Sequence, residues 1–88
     1  MKYSVRTTDR FDKQFKKLDR YTMVMIKKWI DTRLDGCEDP RSFGKGLTAD
    51  RSGQWRYRIG DYRLICNIND NELVILALEI GHRSKVYN

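Results

Sequence analysis

The stretch GQWRYRIGDYRLI, residues 53–65, decides the fold. Gly60 and Asp61 make a two-residue hairpin turn of the primed type, because glycine tolerates the positive φ that such a turn requires. The runs on either side, 55–59 and 62–68, read as its two strands. That turn sets the register. Ile59 opposes Tyr62, Arg58 opposes Arg63, and alternation puts Arg56 on the same face as both. Like charges directly opposite each other destabilise a sheet by about 0.2–1 kcal/mol per pair. Three guanidinium groups crowded on one small face therefore point to an anion that they bind, and phosphate is the leading candidate.

Downstream of this hairpin, a third strand is expected over 73–80, entered through a turn at Asp70-Asn71. Carried through that turn, the register puts Tyr57, Ile59, Leu64, Cys66, Ile68, Leu73, Ile75 and Ala77 on one face, suited to helices. The other face combines the three arginines with Ile65, Val74, Leu76 and Leu78. An exposed apolar strip beside a basic patch marks a protein interface.

Upstream, residues 38–53 contain Pro40 and three glycines and read as a loop, whose Lys45 and Arg51 are candidates to line a groove. Residues 2–7 alternate as a short first strand. Thr8 or Asp9 then caps a helix running to about Leu18, with Phe11, Phe15 and Leu18 on one side and Lys13, Lys16 and Lys17 mostly on the other. A second helix is expected over 21–34, with Met23, Ile26, Ile30 and Leu34 as its apolar stripe and Gly36 ending it. Trp29 lies off the centre of that stripe and is expected to pack against the first helix. The fold class is α+β: an N-terminal strand, a helical hairpin and a three-stranded antiparallel meander, forming one small sheet with the helices on one face. A chain of 88 residues accommodates this as one domain.

Eighteen Lys and Arg against twelve Asp and Glu give a formal net charge of +6, which favours a polyanionic partner. No apolar run approaches the length of about 20 residues that a spanning helix needs, and the N-terminus has no signal-peptide pattern, so a cytosolic protein without a membrane role is expected. Cys37 and Cys66 are too few and too far apart for a metal motif, and the single His82 does not complete one. Neither metal nor other cofactor is expected.

The chain leaves its last strand as GHRSKVY, residues 81–87, adding His82, Arg83, Lys85 and Tyr87. If this tail folds back over the arginine face, a phenol and an imidazole join the guanidinium groups. Those are the components for cutting RNA: a base for the 2′-hydroxyl, cations for the phosphorane and an acid for the leaving 5′-oxygen. Nearby cations would favour the phenolate of Tyr87.

RFDKQFKKLD at 10–19, DPRSFGKGL at 39–47, GQWRYRIGDYRLI at 53–65 and IGHRSKVY at 80–87 together give a sequence that resembles the RelE/ParE superfamily of bacterial toxins, and more closely its RelE branch of mRNA interferases. The resemblance implies a type II toxin that enters the ribosomal A site and cuts mRNA there, by 2′-hydroxyl attack that leaves a 2′,3′-cyclic phosphate. It also implies a cognate RelB-like antitoxin, with operator DNA bound only through the toxin–antitoxin complex. Arg56 and Arg58 stand where the family's best-known pattern has lysines. Arg63, Arg83 and Tyr87 match its remaining arginines and C-terminal tyrosine. By this resemblance Tyr87 is the general base helped by Arg56, Arg58 and Arg63 hold the phosphate, and Arg83 lies near the leaving oxygen, with His82 a competing acid or base. Lys13, Lys16, Lys17, Lys45, Arg51 and Lys85 are the expected RNA and ribosome contacts; Ile65, Val74, Leu76 and Leu78 are the expected antitoxin contacts. Two alternatives remain open: a ParE-like inhibitor of gyrase without ribonuclease activity, and a non-catalytic basic partner in operon autoregulation.

Overall fold

The computed structural model describes residues 1–84. The chain runs β1 (Ser4–Thr7), α1 (Asp9–Lys16), α2 (Arg20–Arg33), β2 (Lys45–Gly46), a 3-10 turn (Ala49–Arg51), β3 (Trp55–Ile59), β4 (Tyr62–Asn69) and β5 (Val74–His82). All five strands form one mixed sheet in the order β1-β5-β4-β3-β2. The class is the expected α+β, but the meander β3–β4–β5 is extended on both edges. β1 adds to β5 in parallel, and Lys45–Gly46, expected as loop, pairs antiparallel with β3.

Local chemistry starts and stops each helix. Thr8 is the N-cap of α1: its side chain accepts from Phe11 N, while its hydroxyl donates to Ala77 O at 3.0 Å and so fastens the helix start to β5. Asp19 caps α2 by accepting from Thr22 N at 3.2 Å. Past its end, Gly36 takes a φ of 87°, and its N–H donates to Tyr3 O at 2.7 Å, turning the chain back along β1.

Both helices bury their apolar stripes against one face of the sheet. Ile26, Ile30 and Leu34 of α2 and Phe11 of α1 join Tyr57, Ile59, Leu64, Cys66, Ile75, Ala77 and Ile80 in a single core. Trp29 does not pack on α1 as expected. Its ring lies 6.1 Å from Phe43 and 5.7 Å from Tyr57, because the 38–53 segment folds under α2 and presents Phe43 there. Tyr57 itself is fully buried and donates its hydroxyl to Pro40 O at 2.6 Å.

The turn between β4 and β5 is longer than Asp70-Asn71. Asn69 pairs with Val74, so residues 70–73 form the loop and Leu73 lies outside the strand at a φ of 56°. Asn69 Oδ1 stabilises this loop by accepting from Glu72 N at 3.0 Å. One irregularity matters more. Ile65 pairs with Glu79 and Cys66 pairs with Ala77, leaving Leu78 as an extra residue in β5, a β-bulge. Strict alternation from Ala77 would have put Glu79 into the apolar core and Ile80 on the other face. The bulge reverses both: Ile80 enters the core, and Glu79 joins the face that carries the arginines.

Candidate nucleic-acid interface

The hairpin at the centre of the site has the register that its turn dictates. Gly60 has a φ of 59°, and Arg58 pairs with Arg63 while Ile59 pairs with Tyr62. In a two-residue hairpin the first flanking pair is the hydrogen-bonded one, so Arg58 and Arg63 form the closer, non-hydrogen-bonded kind of pair. Arg56 lies two residues along on the same face, opposite Ile65.

Successive cross-strand rows give this face its pattern. Arg58, Arg63 and Gly81 make one row; Lys45, Arg56, Ile65 and Glu79 make the next. Arg58 is exposed and forms no ion pair with any described residue. Arg56 and Arg63 are half-buried, with their Nε atoms enclosed by the surrounding protein. Arg83 follows the end of β5, and its backbone N–H donates to Asp61 O at 2.8 Å. That bond ties the departing chain to the hairpin turn, beside the Arg58–Arg63 row.

Sequence reasoning missed Glu79. It is only 6% exposed, yet it sits in the row of Arg56 and Ile65. Arg51 donates to its Oε2 at 2.7 Å, and Arg10 of α1 approaches Oε1 at 3.3 Å. Arg51, expected as an open groove cation, is therefore engaged within the molecule, and it also reaches Gln54 Oε1 at 3.4 Å. The signal was available in the sequence as a carboxylate within an apolar strand, but only the bulge shows which way it faces.

His82 is placed differently from expectation. Its pairing with Tyr62 gives it the parity of Ile80 and Leu64, the helix side of the sheet, away from Arg56, Arg58 and Arg63. There its ring meets Tyr62 edge-on at 5.6 Å, and Nδ1 lies 3.1 Å from Ser84 Oγ. Arg10, Gln14, Lys17 and Leu18 line the same cleft.

Among the interface candidates, Ile65 is fully buried and so offers no contact to a partner. It lies at the middle of the sheet, flanked in its row by Arg56 and Glu79, and long side chains of that kind cover a β-branched neighbour with their stems. Val74, Leu76 and Leu78 are half-exposed, with Arg6 of β1 paired beside Leu76. Lys13, Lys16 and Lys17 are exposed on α1, and Lys45 is exposed at the far edge of the arginine row. Lys85 and Tyr87 lie outside the described residues.

The thiols take no part in this face. Cys66 is fully buried in the core, where desolvation pushes its pKa well up, and Cys37 is raised less, also by burial. No helix among the described residues is long and apolar enough to cross a membrane.

Comparison with known proteins bears on this arrangement. A family model described as the ParE toxin of the type II toxin-antitoxin system parDE matches residues 5–87. Toxin RelG of Mycobacterium tuberculosis is 28% identical over 87 residues, spanning 99% of this chain and 98% of that protein. Among solved structures, the toxin–antitoxin complex RelBE2 from Mycobacterium tuberculosis matches with a TM-score of 0.85 at 26% identity, over 94% of this chain and 100% of the other. The archaeal RelE–RelB complex from Pyrococcus horikoshii matches with a TM-score of 0.71 at 26% identity, over 98% and 100%. Isolated RelE from E. coli shares the fold, with a TM-score of 0.70 over 91% of this chain. The chain belongs to the ParE toxin family and is a toxin of the RelE/ParE superfamily of type II toxin–antitoxin systems.

Proposed function

We propose that this toxin is an endoribonuclease, an mRNA interferase that cuts mRNA in the ribosomal A site. The observation that carries the reading is Arg58 set directly opposite Arg63, with Arg56 on the same face. Folding alone disfavours that pairing, whereas a phosphate passing to phosphorane gains from it, since its developing charge meets donors already in place. In the reaction the 2′-oxygen gives up its proton to a base and bonds to the adjacent phosphorus. The bond from phosphorus to the 5′-oxygen then breaks, and the leaving oxygen takes a proton from water.

Arg58 and Arg63 hold the non-bridging oxygens, and Arg83, tethered to the hairpin turn through Asp61 O, is assigned to the leaving side. A guanidinium keeps its charge at every relevant pH and holds its donors in a fixed fork, so these arginines stabilise charge and do not pass protons. Tyr87 is assigned as the general base. His82, on the other side of the sheet, is left out of the proton transfers. Lys13, Lys16, Lys17 and Lys45 serve as remote contacts to ribosomal and mRNA phosphates. The neighbours that are toxin–antitoxin complexes support a cognate antitoxin here too, docking on Val74, Leu76 and Leu78 next to the basic rows. Action in the cytosol follows from a ribosomal target.

The family-model match favours a second reading, inhibition of gyrase in the manner of ParE toxins. The two separate in cells. After brief induction, mapping of mRNA ends is expected to show new breaks within coding regions, lost in the Tyr87→Phe variant. Intact messages accompanied by DNA damage would establish the gyrase reading instead.

A further inference from the structure

Glu79 is a carboxylate built into a face whose other charged residues, Arg6, Lys45, Arg56, Arg58 and Arg63, are cationic. Chain geometry, not chance, brings it there: without the bulge at Leu78 its side chain would point into the apolar core. Its two oxygens are held separately, Oε2 by Arg51 at 2.7 Å and Oε1 by Arg10 at 3.3 Å. These cations come from unrelated parts of the chain, Arg51 from the 3-10 turn before β3 and Arg10 from the first turn of α1. Glu79 thus gathers guanidinium groups from separate elements, one cross-strand row away from Arg58 and Arg63, and a carboxylate and a phosphate are held by the same kind of charge-assisted bond.

We propose that Glu79 is an internal stand-in for a backbone phosphate, which withholds Arg51 and Arg10 from single-stranded RNA and so sets how tightly the basic face grips it. The inference rests on the RNA-directed reading of that face. It explains why the 47–54 loop is anchored across the sheet through Arg51, and why a carboxylate is kept within an electropositive surface. Neutralising Glu79 removes the ion pair through which it holds each arginine. Each new phosphate contact on a single strand steepens the dependence of log affinity on log salt by about 0.7.

The test is equilibrium binding of the full chain to a short, uncleavable 2′-O-methyl RNA oligonucleotide across a salt titration. Glu79→Gln is expected to tighten binding about five- to tenfold at low salt and to steepen the slope by about 0.7–1.4. The gain is expected to shrink when Arg51→Met is added and to vanish when Arg10→Met is added as well. Glu72→Gln, which removes the same charge from the exposed β4–β5 turn, is expected to change affinity by less than about twofold. An unchanged slope in Glu79→Gln, or a gain that survives Arg51→Met and Arg10→Met together, overturns the proposal. Should Glu79→Gln not fold, Arg51→Met alone decides: its slope is expected to equal that of the parent protein, and a slope shallower by about 0.7 shows that Arg51 already contacts RNA and refutes the withholding role. Absence of mRNA cleavage by the parent protein would instead count against the enzymatic reading and leave these binding results standing.

Discussion

Arg58→Ala and Arg63→Ala are each expected to slow mRNA cleavage about 10²–10³-fold while weakening ribosome association by no more than about threefold. The asymmetry follows from where the charge is. In the ground state a bound phosphodiester carries one negative charge spread over two oxygens, and many other cations on Lys13, Lys16, Lys17 and Lys45 share in holding the ribosome and message. In the phosphorane a second charge develops, and it does so against the directly opposed Arg58 and Arg63. Interactions that strengthen only in the transition state change the rate of the chemical step and leave binding nearly untouched. Single-turnover cleavage and binding, measured on the same A-site complexes, give both quantities. Equal losses in the two would mean that the arginines merely anchor the RNA. Arg58→Lys retains the charge and loses the fork, and its rate is expected to lie between those of the parent and the alanine variant.

Gly44→Ala is expected to destabilise the fold by about 3 kcal/mol or more. Gly44 has a φ of 86°, which an L side chain adopts only with strain. Its surroundings leave no room either: a β-carbon would sit 2.5 Å from both Arg56 O and Trp55 Nε1, and 2.9 Å from Tyr57 Cδ1. One of these atoms is backbone of β3 itself, so relief requires separating the 38–53 segment from the strand that carries Arg56. That separation also strains the bond from Trp55 Nε1 to Phe43 O, 2.9 Å long, and the pairing of Lys45 with Arg56. Chemical denaturation measures the effect. A variant that unfolds within about 1 kcal/mol of the parent would show that the segment yields cheaply and does not set the position of β3.

The hairpin was legible because its turn is local. A two-residue connection with glycine first admits one register, and Arg58 opposite Arg63 follows from it without knowledge of the rest of the fold. The helices were legible for the same kind of reason, through Thr8 and Gly36 at their ends and the spacing of Ile26, Ile30 and Leu34 between. What failed was non-local or broke periodicity. β1 pairs in parallel with a strand seventy positions away in sequence, Ser4 with Val74, and no short-range pattern encodes that choice. Lys45–Gly46 is too short for alternation to appear at all.

A single inserted residue accounts for the two errors at the site. The run Val74–His82 alternates plausibly from end to end, and nothing in it announces that Leu78 is extra. Read with strict period two, Glu79 belongs to the core and His82 to the arginine face. With the bulge, the carboxylate moves beside the arginines and the imidazole moves to the helix side, against Tyr62. A buried carboxylate in an apolar core is costly enough to have flagged the discrepancy, since desolvating an unpaired charge far outweighs the loss of one ladder position at a bulge. The burial of Ile65 was not legible for another reason: alternation gives the face of a residue but not how far its surroundings close over it.

Cleavage by the purified toxin on ribosomes programmed with mRNA tests the central claim most directly, when one message carries a 2′-deoxy substitution at the scissile nucleotide. The parent message is expected to be cut to a 2′,3′-cyclic phosphate end and the substituted one to stay whole. Cleavage of both messages, or of neither while the toxin saturates the A site, would contradict the assignment of the Arg58–Arg63 pair to in-line 2′-hydroxyl attack.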